Sequence, residues 1–375
     1  MILEVTGTGT LNKGAELLLV AIKAALACNS EIQLAVSPRF GPYHARAGYG
    51  LLQKVKIDRL GRSKVGFSIL PASFRAAYGM VTENDIDGII DASGFAFGDQ
   101  LPVSTAQHFA ADCIRWKKQG KPIVLLPQAF GPFKKKEARL AFQLIAQNAD
   151  LIFARDKDSL QFAKIAAPEE EQKIRLAPDI TINVDGPALK QKDVSDQTAL
   201  IVPNVRMLDR TNPQESQAYL PFLARCVKYV REKKLDPVLL LHSDRDDDRL
   251  VNAVHDQINS KIPVIRETDP IKLKGILQSP RLVIASRFHA LVAALSGGVP
   301  AIAVGWSHKY KHLLNDFQCP DMFTSVNAPP DEMLRLITQV QTEHAIRSER
   351  LRIVKMNLST KIDTVWKEAG KIFSF

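Results

Sequence analysis

The sequence predicts an α/β protein built of two Rossmann-like domains facing a cleft, and three observations predict it. Short apolar segments alternate with amphipathic stretches along most of the chain, which is the pattern of parallel sheets covered by helices. The alternation stops over 177–197 and then resumes. A chain of 375 residues with 46% hydrophobic composition has enough apolar side chains for two cores of ordinary size.

In the first half, strands are expected over 2–6, 32–36, 88–91, 123–126 and 151–154, with helical periodicity over 15–27, 105–118, 136–148 and 158–166. Residues 177–197 carry Pro178, Gly186 and Pro187 among alternating charges, lack a long apolar period and read as a linker. A second series of strands follows over 199–202, 237–241, 264–265, 282–285 and 301–304. Substrates of such sheets bind at the carboxyl ends of the strands. The expected division is a first domain over 1–185, a second over 198–330, and a tail over 331–375 of two helices packing at the domain junction. The second tail helix carries Ile346, Leu351, Ile353, Val354, Leu358, Ile362, Val365, Trp366 and Ile372, a set broad enough to be buried against protein.

No apolar run approaches the roughly 20 residues that cross a bilayer, and the opening MILEVTG has no secretory pattern, so a cytoplasmic protein is expected. Cys28, Cys113, Cys226 and Cys319 stand far apart with no CxxC pair, which argues for reduced thiols and against a disulfide or zinc framework. The net charge of +10 suits an anionic substrate, a nucleic acid or an acidic membrane surface, and so leaves peripheral membrane association open. Basic residues gather at Arg46, Lys54, Lys56, Arg59, Arg62 and Lys64, but no aromatic residues alternate with them as a strand-stacking surface requires. No nucleic-acid partner is expected.

Four motifs follow strands. Gly7-Thr8-Gly9-Thr10-Leu11-Asn12-Lys13-Gly14 opens a helix, where backbone amides favour an anion, but it has neither a Walker ending nor dinucleotide-fingerprint spacing. A tight turn and a ligand loop both fit it. Asp91-Ala92-Ser93-Gly94, running on to Asp99, places two carboxylates among small residues; Asp99 either takes a proton from a sugar hydroxyl or caps a turn. Gln128, in Leu126-Pro127-Gln128 ahead of Gly131-Pro132, can hydrogen-bond a polyol at the point where a strand runs into a rigid turn. Arg155-Asp156 and Ser159 fit a local salt bridge or cap as well as ligand contact. The most informative segment is Ser286-Arg287-Phe288-His289-Ala290, a strand-to-helix junction that sets a bidentate anion grip beside the one side chain that titrates near neutral pH unaided.

That last run, with Gly297-Gly298-Val299-Pro300 and Lys309 downstream, resembles the C-terminal signature of the polysaccharide pyruvyltransferases. Asn12-Lys13-Gly14 resembles that family's N-terminal Asn-x-Gly turn, and Gly131-Pro132, Arg155-Asp156 with Ser159, and Pro178-Asp179 fall in the family's order. The likeness spans about residues 5–315. It implies a fold similar to the B-type glycosyltransferases and transfer of a pyruvyl group from phosphoenolpyruvate to a sugar or lipid-linked oligosaccharide, giving a pyruvate ketal. It further implies that His289 is the general acid and that Arg287, Arg206 and Lys309 hold the donor; from the motif readings, Asp99 is the next candidate for the proton transfer and Asn12 and Gln128 are the candidates on the acceptor side. No cofactor and no metal are expected. Two departures, Ala15 where the family has an acidic residue and Ser93-Gly94-Phe95 in place of a glycine triplet, fall in the half expected to hold the acceptor. A nucleotide-sugar glycosyltransferase and a non-catalytic binder of acidic glycans are the rival readings.

Overall fold

The computed structural model describes residues 1–55, 71–188, 194–209, 211–241, 246–305 and 308–375, without the side chains of 246, 247 and 308. Lys56, Arg59, Arg62 and Lys64 of the expected basic cluster lie outside them. The chain divides into a first unit, Met1–Ile180 with Lys361–Phe375, and a second unit, Thr181–Thr360. The division thus falls ahead of the expected boundary at 185, and the end of the tail counts with the first unit.

The first unit is a sheet of β1 (Ile2–Thr6), β2 (Gln33–Val36), β3 (Leu52–Lys54), β4 (Met80–Val81), β5 (Gly88–Asp91), β6 (Phe95–Phe97), β7 (Ile123–Phe130), β8 (Leu151–Ala154) and β9 (Ile174–Leu176). Its order is β4-β3-β2-β1-β5-β7-β8-β9, with β6 paired to β7. The paired strands are parallel, so each connection must cross a face of the sheet, and the helices Lys13–Leu26, Val103–Lys118, Lys136–Asn148 and Lys157–Ala166 make such crossings. Strands covered on both faces read as continuous apolar runs, as β8 does with all four residues buried. The expected 123–126 strand runs on to Phe130, through Pro127 and Gln128. Pro127 cannot donate to the ladder, and the register to β8 shifts between Leu125 and Gln128, where an irregularity accommodates it.

The first unit also buries charge. Glu4 in β1 takes the Lys54 ammonium at 2.5 Å, and Lys54 lies 3.3 Å from Glu83, which in turn meets Arg115 at 2.6 Å. Burial raises the Glu4 carboxyl, and Lys54 offsets this only in part. Burial pushes Glu83 upward too, but the hydrogen bond and charge of Arg115, with the charge of Lys54, outweigh it and hold that carboxyl at about 2.

The second unit holds β10 (Thr198–Val202), β11 (Asp236–Leu241), β12 (Val264–Arg266), β13 (Leu282–Ala285), β14 (Ala301–Val304) and β15 (Phe323–Thr324), in the order β12-β11-β10-β13-β14-β15 and parallel throughout. Within the expected linker, Ile180–Asn183 forms a turn of 3₁₀ helix whose Thr181 carbonyl accepts from the buried Lys274 ammonium.

The tail is one helix, Pro330–Phe373, rather than two. No proline or glycine interrupts it before Gly370, so nothing in the backbone requires a break. Leu351, Val354, Leu358, Ile362, Val365, Ala369 and Phe373 are buried at steps of three or four residues, one continuous helical face. Ile346 and Ile353, counted in the apolar set, are exposed.

Phe373 closes over β5. A Cβ on Gly88 would stand 2.7 Å from the Phe373 ring and 3.0 Å from Leu3. Gly88→Ala should therefore cost about 1–3 kcal/mol, the range for overpacking a filled core, seen as a lower urea midpoint. Because Glu83 is held below its ordinary value of 4.5, its ion pairs add stability that is fully present above that pH and is lost as pH falls through about 2. Glu83→Gln should flatten the acid limb of a stability-versus-pH curve across that window.

Candidate functional site

In the second unit the chain leaves β10 toward β11 on one side, while β13 lies on the other, so the winding direction reverses between β10 and β13. Crossovers diverge at such a point and leave a crevice at the carboxyl ends. The two segments that emerge there are Pro203-Asn204-Val205-Arg206 and Ser286-Arg287-Phe288-His289. Ser286 ties them together. Its carbonyl accepts from Asn204 Nδ2 at 2.8 Å and from Tyr310 Oη at 2.9 Å, and its hydroxyl lies 2.5 Å from Tyr219 Oη. Tyr219 Oη also accepts the Asn204 N–H at 2.9 Å. Burial pushes the Tyr219 phenol up to about 12, so it stays a neutral donor and acceptor.

This knot fixes the residues singled out in the sequence. Arg287, half-buried, precedes the helix Phe288–Ser296, and its Nε donates to the Pro203 carbonyl at 2.9 Å. His289 is the second residue of that helix, its ring set edge-on to Phe288 at 5.4 Å. Lys309 extends from the segment after β14, with Nζ 5.4 Å from the Tyr310 ring centre and 5.9 Å from that of Phe288. Arg206 opens the short helix Arg206–Asp209 and is paired with Asp209, half-exposed. All four basic groups thus stand at the carboxyl edge of one sheet, beside the N-terminal amides of Phe288–Ser296, where an anion is favoured.

The other three candidates lie in the first unit. Asn12 caps the helix Lys13–Leu26, its Oδ1 accepting from Gly14 N at 3.0 Å. Asp99 accepts the N–H groups of Lys134 at 2.7 Å and Lys135 at 3.1 Å, one on each oxygen, which is the turn-capping arrangement. Gln128 is fully buried and donates Nε2 to Asp91 Oδ2 at 2.7 Å rather than facing a ligand; its Oε1 has no hydrogen-bond partner among the described residues. Asp91, at the end of β5, also accepts from Thr6 at 2.9 Å and Ser93 at 2.7 Å, and burial raises its carboxyl against those three hydrogen bonds. Gly7 is needed beside it: its φ is +76°, and a Cβ there would lie 2.5 Å from the Ser93 Cα.

The model of the polysaccharide pyruvyl transferase family matches residues 12–308. The chain belongs to that family. The matched stretch takes in Asn12, Asp99, Gln128, Arg206, Arg287 and His289, and Lys309 follows it directly. A curated relative, the amylovoran biosynthesis protein AmsJ of Erwinia amylovora, is 22% identical over 264 residues, which is 65% of this chain and 63% of that protein. The matched stretch therefore falls short of two thirds of the relative's length. Among solved structures, S. aureus MnaA with UDP superposes with a TM-score of 0.59 at 11% identity, covering 94% of this chain and 90% of the other. The UDP-GlcNAc 2-epimerase of Neisseria meningitidis, bound to UDP-GlcNAc, gives 0.57 at 12% over 98% and 99%. The calicheamicin glycosyltransferase CalG4 gives 0.52 at 13% over 100% and 98%. These likenesses show the fold, the paired Rossmann-like architecture of B-type glycosyltransferases and epimerases.

Tyr219, Asn204 and Tyr310 went unseen in the sequence, because a tyrosine inside an amphipathic helix carries no sign of the hydroxyl it will meet. Among the described residues, no group of three or more His, Cys, Asp or Glu side chains is placed to hold a metal ion, and no helix is long and apolar enough to cross a membrane. Tyr219→Phe should cost about 1–3 kcal/mol, because it leaves the Asn204 N–H and the Ser286 hydroxyl without their shared partner. Thermal unfolding measures this, and an unchanged midpoint would contradict the role of the knot.

Proposed function

We propose that the protein transfers the pyruvyl group of phosphoenolpyruvate onto a sugar of a polysaccharide or its lipid-linked precursor, forming a pyruvate ketal. The observation that carries the reading is the junction after β13, where Arg287 and His289 flank a helix N-terminus at the switch point of the second sheet. Family membership and the role in amylovoran biosynthesis that the name of AmsJ states support it.

In this reading Arg287 grips the carboxylate or phosphate of the donor, with Arg206 and Lys309 adding positive charge. His289 protonates the methylene carbon of the enol, and the electron pair of the C=C bond forms the new C–H bond. A sugar hydroxyl attacks the resulting cationic carbon and returns a proton to His289. The C–O bond to phosphate then breaks, inorganic phosphate leaves with the bonding pair, and a second hydroxyl closes the ketal as its proton passes to phosphate. General acid catalysis supplies about 10²–10⁴ in rate, so anion binding and positioning carry the remainder.

The rival, a glycosyltransferase or epimerase acting on a nucleotide sugar, draws on the UDP-bound structures that share the fold. Fold alone does not carry function, and the family match favours pyruvyl transfer. The two readings separate on donor. Phosphoenolpyruvate should raise the melting temperature more than UDP does, and a larger shift with UDP would favour the rival. Within the pyruvyl reading, His289→Asn should keep donor binding while turnover falls about 10²-fold or more. Arg287→Lys should weaken the donor complex by about 1–3 kcal/mol. A folded His289→Asn protein with near-normal turnover would remove His289 from the mechanism.

A further inference from the structure

The tail helix Pro330–Phe373 leaves two large apolar side chains in water on one part of its surface. Ile346 is 75% exposed and Ile353 is 52% exposed, whereas Leu351, Val354 and Leu358, further round the helix, are buried. Single exposed isoleucines are ordinary on a protein surface. These two stand seven residues apart, about two turns, so they lie one above the other on a single face. Between them, on the same face, are the exposed Glu349 and Arg350.

The surface beside this stripe is hollowed. Two recesses meet at Gln318, Ile346 and Arg350. One, of about 380 Å³, runs in against Phe317, Cys319 and Met322, and the other, of about 560 Å³, follows the stripe past Ile353 to Asn357. Apolar projections and apolar recesses therefore occur side by side, all within the second unit.

The pattern of the stripe says what fits it. In a two-fold contact a patch must be its own complement, since any residue that meets a second must be met by it in return. The midpoint of Ile346 and Ile353 falls between Glu349 and Arg350, and a two-fold axis raised there lays the stripe antiparallel on itself. Ile346 of each copy then faces Ile353 of the other, and Glu349 faces Arg350, so every apolar group meets an apolar group and every charge its opposite. Thr342 and Asn357, both exposed and polar, come opposite each other where the stripe ends. Glu349 is held only by an exposed pair with Arg352 at 3.3 Å, and Arg350 by Gln318 Oε1 at 3.3 Å, so both turn to a partner at little cost. A lipid surface matches less well, because anionic headgroups attract Arg350 and Arg352 but repel Glu349 at the centre of the stripe.

From these observations we infer that this face docks a second copy of the chain as a two-fold antiparallel helix pair, with Ile353 of the second copy seated against Ile346 and the recess beside it. One helix crossing is a small contact, so the dimer belongs at the weak end of the scale, dissociating at about 1–100 µM. Nothing in the inference depends on which group the enzyme transfers.

Sedimentation velocity of the full chain across about 1–200 µM tests it. The sedimentation coefficient should rise with concentration toward that of two chains, and Ile353→Glu, at an exposed position, should hold the protein monomeric. Glu349→Arg and Arg350→Glu each set like charges against each other across the axis and should each weaken association about threefold or more. The double variant Glu349→Arg/Arg350→Glu makes the charges opposite again and should return to within about twofold of the original. Thermal midpoints, measured alongside, should stay unchanged, which separates lost docking from lost folding. A chain that stays monomeric at every concentration overturns the inference, as does a dimer that survives Ile353→Glu or a double variant that associates no more tightly than the single ones. A monomer that instead co-sediments with vesicles of phosphatidylcholine and phosphatidylglycerol, and ceases to do so as Ile353→Glu, overturns it in favour of a membrane-facing stripe.

Discussion

Parallel pairing is the constraint on which everything else in this protein depends. A parallel strand cannot turn back on itself, so each is followed by a crossover, and the chain emerges again and again at the same edge of its sheet. Wherever the winding reverses, two emerging segments are left facing each other without a helix between them. In the second unit those segments carry Asn204 and Ser286, and the protein stitches them with the Tyr219 hydroxyl and the Asn204 amide. Arg287 and His289 inherit their placement from that stitch.

The first unit meets the same constraint with different chemistry. Its reversal lies between β1 and β5, and there the buried Asp91 carboxylate gathers Thr6, Ser93 and Gln128. A buried carboxylate with three donors is tolerable where a lone one is not. Nearby, Glu4, Lys54, Glu83 and Arg115 form a chain of ion pairs under the helix Val103–Lys118. One unit therefore gathers basic groups at its strand ends, while in the other these four charges are paired with one another.

Much of the architecture was legible because the alternation of apolar strands and amphipathic helices is local information. The strands that went unseen, β3, β4, β6, β9 and β15, have two or three residues each, too few for any period to show. Arg287 and His289 stood out because a strand-to-helix junction is visible in sequence and dictates where its residues emerge. Asn12 and Asp99 were legible as polar residues at turns, but caps and ligand contacts use the same side chains, and the backbone amides they accept cannot be read from composition. Partnerships across long separations were invisible: Tyr219 meets Ser286 across 67 residues, and Lys54 meets Glu4 across 50. The single tail helix was missed for a different reason, since a continuous apolar face resembles two shorter ones when no cap marks where either stops.

That tail gives the molecule an unusual assembly order. Phe373 completes the packing over Gly88 and Leu3, yet it is translated after the whole of the second unit. On the ribosome, where domains ordinarily fold in the order they emerge, the first unit must wait with its β1 and β5 contacts unfinished until the second has been synthesised. A gene that exchanged or duplicated the first unit as one uninterrupted stretch would leave this part of its core behind.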